Sequence, residues 1–141
     1  MALIHGAKGI IYFAHQFQPK FIEAGLLADE AMAREVATLN RQVLELAPVL
    51  NSPDVAGGAS VATTEEGVPI DFMVKRHAGE TYLFAVAMRE GETTAAFTLP
   101  GRGDARVEVQ GEGRAIEAAG GQWEDRFEGY QVHLYRIGLN P

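Results

Sequence analysis

The sequence predicts an α+β fold: an N-terminal strand plus a long amphipathic helix, followed by an antiparallel β-sandwich of about eight strands. Three observations predict it. Apolar residues recur at helical spacing through residues 32–50, polar and apolar residues alternate in short runs beyond residue 59, and glycines punctuate those runs. Residues 1–50 hold 3 of the 16 glycines and the remainder hold 13. The texture changes at Asn51-Ser52-Pro53-Asp54 and Gly57-Gly58, turn formers that mark a linker over 51–58. On this reading a strand-helix segment occupies 1–50 and a sandwich domain 59–141.

The first element is Lys8-Gly9-Ile10-Ile11-Tyr12-Phe13-Ala14, a nearly continuous apolar run. Such a run fits a strand buried on both faces, as in a parallel sheet. After Pro19 the pattern turns helical. Met32, Val36, Leu39, Val43, Leu46 and Leu50 step by four and three residues and so share one stripe. Asp29 is the expected N-cap, with a start nearer Glu23 as the alternative, and Pro48 with the Asn51-Ser52-Pro53 turn is expected to end the helix.

The rest reads as β structure. Ile70, Phe72 and Val74 alternate with Asp71, Met73 and Lys75, the period of a half-buried strand. The other expected strands cover 60–64, 81–88, 93–99, 105–110, 114–118, 122–127 and 130–137. Phe72, Phe84 and Phe97 sit at the apolar phase of their strands and are expected in the core. A spacing of about 8–12 residues between short strands suits a sandwich.

Composition excludes several functions. With 12 basic and 19 acidic residues the formal charge is −7, and no Lys/Arg cluster offers the counterion release on which nucleic-acid binding depends. Nucleic acid is not an expected partner. Cysteine is absent, so thiol nucleophiles, disulfides and Cys-ligated zinc are absent too. No apolar run approaches the ~20 residues of a membrane span, and the N-terminus lacks a signal-peptide layout, so the expected location is cytoplasmic. No two histidines have the i, i+4 spacing of a helical metal site, so His5, His77 and His133 are not expected to bind metal. Ser52 and Ser60 lie in no nucleophile-elbow pattern. Pro100-Gly101-Arg102-Gly103-Asp104 opens no helix and is a turn rather than a phosphate loop. No cofactor is expected.

Ala2-Leu3-Ile4-His5-Gly6-Ala7-Lys8-Gly9-Ile10-Ile11-Tyr12-Phe13 resembles the last barrel strand of (β/α)₈ glycoside hydrolases. The stretch Leu39-Asn40-Arg41-Gln42-Val43-Leu44-Glu45-Leu46-Ala47-Pro48-Val49-Leu50 is similar to the helix that closes such barrels. The end of the chain, Phe127-Glu128-Gly129-Tyr130-Gln131-Val132-His133-Leu134-Tyr135-Arg136-Ile137, resembles the final strand of their C-terminal β-sandwich. The resemblance implies a C-terminal segment of such an enzyme, whose parent would be a glycoside hydrolase and could be secreted. It also implies a structural hydrogen bond for His133. In that family the acid/base carboxylate follows the fourth barrel strand and the nucleophile the seventh, and no carboxylate of this chain lies in either motif. Glycoside hydrolysis requires both. No glycosidase activity is therefore expected of the chain alone, and its expected role is that of a non-catalytic accessory segment.

Two other roles compete. Sugar-binding modules stack aromatic rings on pyranose faces, and Trp123, flanked by Gln122 and Glu124, is the candidate platform for carbohydrate. The competing reading has Trp123 close one end of the sandwich with its indole N–H bonded to a neighbour. His15 and Gln16, just past the expected barrel strand, are candidate sugar contacts because strand C-termini face substrate in barrels. Alternatively, Glu, Asp and His15 side chains from two subunits assemble a glycosidase-type site.

The helix stripe demands cover. Burying one Leu, Val or Met contributes roughly 1.5–3 kcal/mol, so six exposed residues would forfeit about 10 kcal/mol. The strand and helix can fold back on the sandwich, pair with a second copy, or complete a barrel domain from another polypeptide. Self-association into a homo-oligomer is the expectation, with Met32, Val36, Leu39, Val43, Leu46 and Leu50 as the interface.

Overall fold

The computed structural model describes residues 1–138; the last three residues of the expected sandwich, 139–141, lie outside the described residues. Two helices precede eight strands. They are α1 (Gly25–Ala28), α2 (Glu30–Leu50), β1 (Ser60–Thr63), β2 (Ile70–His77), β3 (Glu80–Ala87), β4 (Thr93–Thr98), β5 (Ala105–Val109), β6 (Arg114–Ala118), β7 (Gln122–Phe127) and β8 (Val132–Ile137). The α+β class and all eight expected strands are present, with ends shifted by one or two residues.

Asp29 starts α2 as its sequence position indicates: its Oδ1 accepts from the backbone N–H groups of Ala31 and Met32, both at 3.0 Å. Those donors would otherwise lack partners in the first helical turn. Pro48 does not end the helix, which runs to Leu50 with Pro48 inside its last turn. The stop comes at Asn51, whose N–H donates to the Ala47 carbonyl at 2.9 Å.

The expected strand over 8–14 does not form. A strand needs a neighbour to take up its N–H and C=O groups, and the described residues supply none at this position. Ile11 is 97% exposed and Phe13 70% exposed. The segment is instead held at its ends. Leu26 N–H donates to the Ala14 carbonyl at 3.0 Å, and Gln16 and Ile22 exchange two backbone hydrogen bonds. A Cβ on Gly25 would come within 2.7 Å of Gln16 Cβ, so a side chain at that position would push this turn away.

Two antiparallel sheets make the body: β1-β4-β7, and β2-β3-β8-β5-β6. Their facing sides enclose the core. Val74, Leu83, Ala85, Val107, Tyr135 and Ile137 come from the larger sheet, and Ala95, Phe97, Trp123 and Phe127 from the smaller. Phe84 is buried but lies on the opposite face, since it pairs in register with Met73 and Leu134, while its neighbours Leu83 and Ala85 point into the core.

That opposite face is partly covered by residues 1–50. α2 packs on β2, and His5 Nε2 lies 3.0 Å from Asp71 Oδ2. Between them runs a groove of about 780 Å³, lined among others by Leu3, Val43, Leu50, Met73 and Lys75. Residues 51–58 are fixed to β2 as well. Val55 N–H donates to the Val74 carbonyl at 2.9 Å, and buried Lys75 places Nζ 2.8 Å from both the Ser52 carbonyl and Asp54 Oδ1. That ammonium holds the Asp54 carboxyl below its ordinary range, through the hydrogen bond first and charge second.

Candidate functional site

Among the described residues, side chains that carry chemistry gather in several places, among them a Glu80–Arg136–Glu108 group on the larger sheet, and two of these places bear on the expected sites. One lies inside the sandwich, the other on the surface of the N-terminal segment.

Along β7, Trp123, Asp125 and Phe127 share the inward phase, so a carboxylate enters the core between two aromatic rings. It meets Arg114 at the start of β6, which donates Nη1 to Oδ1 at 3.0 Å and Nη2 to Oδ2 at 2.7 Å. Tyr135 of β8 donates its hydroxyl to Oδ2 at 2.9 Å, and the backbone N–H of Arg126 donates to Oδ1 at 3.0 Å. Four donors thus fill the carboxylate's acceptor sites. Asp125 has no lone pair left to act as a base.

The network continues. Arg114 Nε donates to Glu112 Oε2 at 2.8 Å, and Glu112 Oε1 pairs with His133 Nδ1. His133 Nε2 sits 3.1 Å from the Arg126 carbonyl. A carbonyl only accepts, so Nε2 donates its hydrogen there. His133 is fully buried, with Phe127 edge-on at 4.5 Å. Burial, followed by the Asp125 charge, pushes the Tyr135 hydroxyl well above the ordinary phenol range. The Arg114 guanidinium is likewise raised, first by its hydrogen bonds to Asp125. Every group named has its partner, and Arg114 also borders an open concavity of about 740 Å³ with Arg106, Glu108 and Arg136. The cluster joins the two sheets, since Asp125 of the smaller sheet is held by Arg114 and Tyr135 of the larger.

The expected sugar contacts do not converge. Trp123 is only 4% exposed, stacked on Phe97 at 5.2 Å and edge-on to Tyr135 at 5.6 Å. A platform needs a free ring face, and Trp123 has none, so of the two readings of Trp123 its position fits the one that places it within the sandwich. It fills the sandwich interior, and its Nε1 has no hydrogen-bond partner, contrary to the expected bond to a neighbour. Gln122 and Glu124 are exposed, but alternation along β7 puts them on the opposite face of the small sheet. His15 and Gln16 belong to the N-terminal segment. The Gln16 backbone pairs with that of Ile22, and the His15 ring sits among phenylalanines.

Those phenylalanines form the surface site. Phe13, His15, Phe17 and Phe21 make a ring of contacts with centroids 5.5–5.9 Å apart, and the three phenylalanines remain largely exposed. Tyr12 donates to Asn40 Oδ1 at 2.8 Å, tying this segment to α2. One turn beyond Asn40 on the helix, Leu44 is 74% exposed. The helix stripe divides. Val36, Val43, Leu46 and Leu50 are half-buried, whereas Met32 and Leu39 remain 51% and 45% exposed.

Sequence reading marks one member of each cluster, His133 through the resemblance and His15 as a candidate contact, and misses the rest. Asp125 at an inward phase was a usable signal of a buried polar contact. Nothing local signals that Glu112, in a turn, meets His133 far along the chain. Among the described residues no three His, Asp or Glu side chains are placed to hold a metal ion, and no helix is long and apolar enough to cross a membrane. No family model, curated protein or solved structure matches this chain.

Proposed function

We propose that the chain is a non-catalytic accessory segment of a glycoside-hydrolase-like protein that self-associates through its N-terminal helix. The observation that carries this reading is the uncovered apolar surface of residues 1–50, on which Met32 and Leu39 of the helix and Phe13, Phe17 and Phe21 before it are all exposed. Exposed apolar side chains gathered in one segment of a folded chain favour an association surface. The glycoside-hydrolase part rests on the order in which the resembling segments occur along the sequence. The non-catalytic part is supported by the buried ionisable cluster, whose groups are spent on one another, and by the scatter of the candidate sugar contacts.

The test is solution mass by light scattering across a wide concentration range. The expected result is a dimer or larger species, and reversion to 15.2 kDa in the double variant Met32→Glu/Leu39→Glu. A wild-type chain that stays at 15.2 kDa at every concentration overturns the reading.

A further inference from the structure

The segment before α1 has a second property besides its exposed side chains. From Lys8 to Phe13 no backbone N–H or C=O has a hydrogen-bond partner among the described residues. Six consecutive residues with free backbone groups are common in polar loops, but these read Lys-Gly-Ile-Ile-Tyr-Phe. β-Branched and aromatic residues favour strands, and a short run of them with little charge and no proline is the composition that pairs with another chain. The chain's own sheets do not use it.

We propose that residues 9–13 pair antiparallel with the same residues of a second copy about a two-fold axis through Ile11. This rests on the self-association reading and names the element through which it starts. Charge selects the partner and the direction. The chain is −7 overall, yet residues 1–50 carry 4 basic and 5 acidic side chains and residues 9–13 carry none, so two copies meeting here bring no like charges together within the pairing segment. The nearest charge is Lys8. Parallel in-register pairing would set the two Lys8 side chains about 5 Å apart, whereas antiparallel pairing about Ile11 places each opposite Ala14 of the other copy, about 20 Å from its twin. The same register sets Ile10 against Tyr12 and Gly9 against Phe13, β-branched with aromatic and glycine with aromatic, both favourable cross-strand combinations. A two-stranded ribbon is marginal alone. Here it would lie beside exposed Leu39 and Leu44, because the Tyr12–Asn40 hydrogen bond holds the segment against that part of α2. The pairing closes at two copies.

The natural absence of cysteine permits a direct test. Two residues directly opposite in an antiparallel pair have Cα atoms about 4.5–5.5 Å apart, within disulfide reach. Under mild oxidation Ile11→Cys is expected to give at least five-fold more covalent dimer than Glu66→Cys, an exposed control. Amide exchange over residues 9–13 is expected to slow at least ten-fold as wild-type concentration rises. An associating chain in which Ile11→Cys cross-links no better than Glu66→Cys overturns the pairing and leaves helix-mediated association standing. Protection of those amides without Ile11→Cys cross-linking overturns the two-fold register and assigns a different strand as partner. A wild-type chain that is monomeric at all concentrations overturns this inference together with the reading on which it rests.

Discussion

Tyr135 and Asp125 meet between the sheets, the phenol of β8 donating to Oδ2 of a β7 carboxylate at 2.9 Å. Because Arg114 grips the same carboxylate with two further bonds, Asp125 links three strands from two sheets. Asp125→Ala leaves a guanidinium and a phenol without their acceptor inside the sandwich. Removing one partner of a buried pair typically costs 3–5 kcal/mol. Arg114 retains some solvent access, so the lower end applies: a loss of about 3 kcal/mol in urea denaturation, seen as a lower midpoint with unchanged slope. A loss below about 1 kcal/mol would show that Arg114 swings out to water and that the network is dispensable.

The same hydroxyl gives the fold an alkaline limit. Burial and Asp125 raise the Tyr135 pKa in the folded chain above its ordinary value of 10.0. A raised pKa means that the folded state keeps its proton where the unfolded chain loses it. The stabilisation is therefore complete below pH 10 and is lost as pH climbs from there toward the folded value. Stability should fall by at most about 1.4 kcal/mol per pH unit for this group once the unfolded phenol ionises. Tyr135→Phe should flatten that limb of the profile, at the expense of some stability at neutral pH. An unchanged slope between pH 9 and 11 in Tyr135→Phe would contradict it.

Most of the fold was legible in the sequence because its signals are local. Strand alternation at Ile70, Phe72 and Val74, the glycine punctuation and the Asp29 cap each depend on residues within a few positions. The failure at 8–14 is of another kind. The apolar run correctly marks residues that favour a strand, but pairing depends on a neighbour that the described residues do not contain. The polar flanks Gln122 and Glu124 make Trp123 a candidate platform, while the competing reading places it in the sandwich. Strand phase decides the matter, since Trp123 shares its face with Asp125 and Phe127, and the flanking residues take the other. The Glu112–His133 contact joins a turn to the last strand and has no local signature.

The core position of Trp123 makes it a probe as well as a packing element. It is the only tryptophan, enclosed by Phe97 and Tyr135. Its emission should be blue-shifted in the folded chain, should not respond to soluble oligosaccharides, and should move to the red on unfolding. Trp123→Ala should cost about 3–5 kcal/mol, the range for truncating a large buried aromatic. Quenching by a sugar without loss of structure would place a ring face in contact with ligand and contradict the buried packing.

The β2–β3 hairpin offers a gain rather than a loss of stability. His77 and Glu80 are paired in register, leaving Ala78 and Gly79 as a two-residue turn with φ of 51° and 83°. Two positive φ values are the signature of a type I′ turn, whose twist matches that of the flanking strands. Gly79 adopts this conformation without strain, but Ala78 places a Cβ against the following carbonyl, at about 1 kcal/mol. Asparagine tolerates the left-handed region and is the preferred first residue of such turns. Ala78→Asn should therefore stabilise the chain by about 0.5–1 kcal/mol, read as a higher urea midpoint, with Ala78→Gly giving a smaller gain because glycine adds freedom to the unfolded chain. Ala78→Val should destabilise, since a β-branched side chain crowds the same backbone further. If Asn and Val shift the midpoint in the same direction, the strain at Ala78 is not what limits this hairpin.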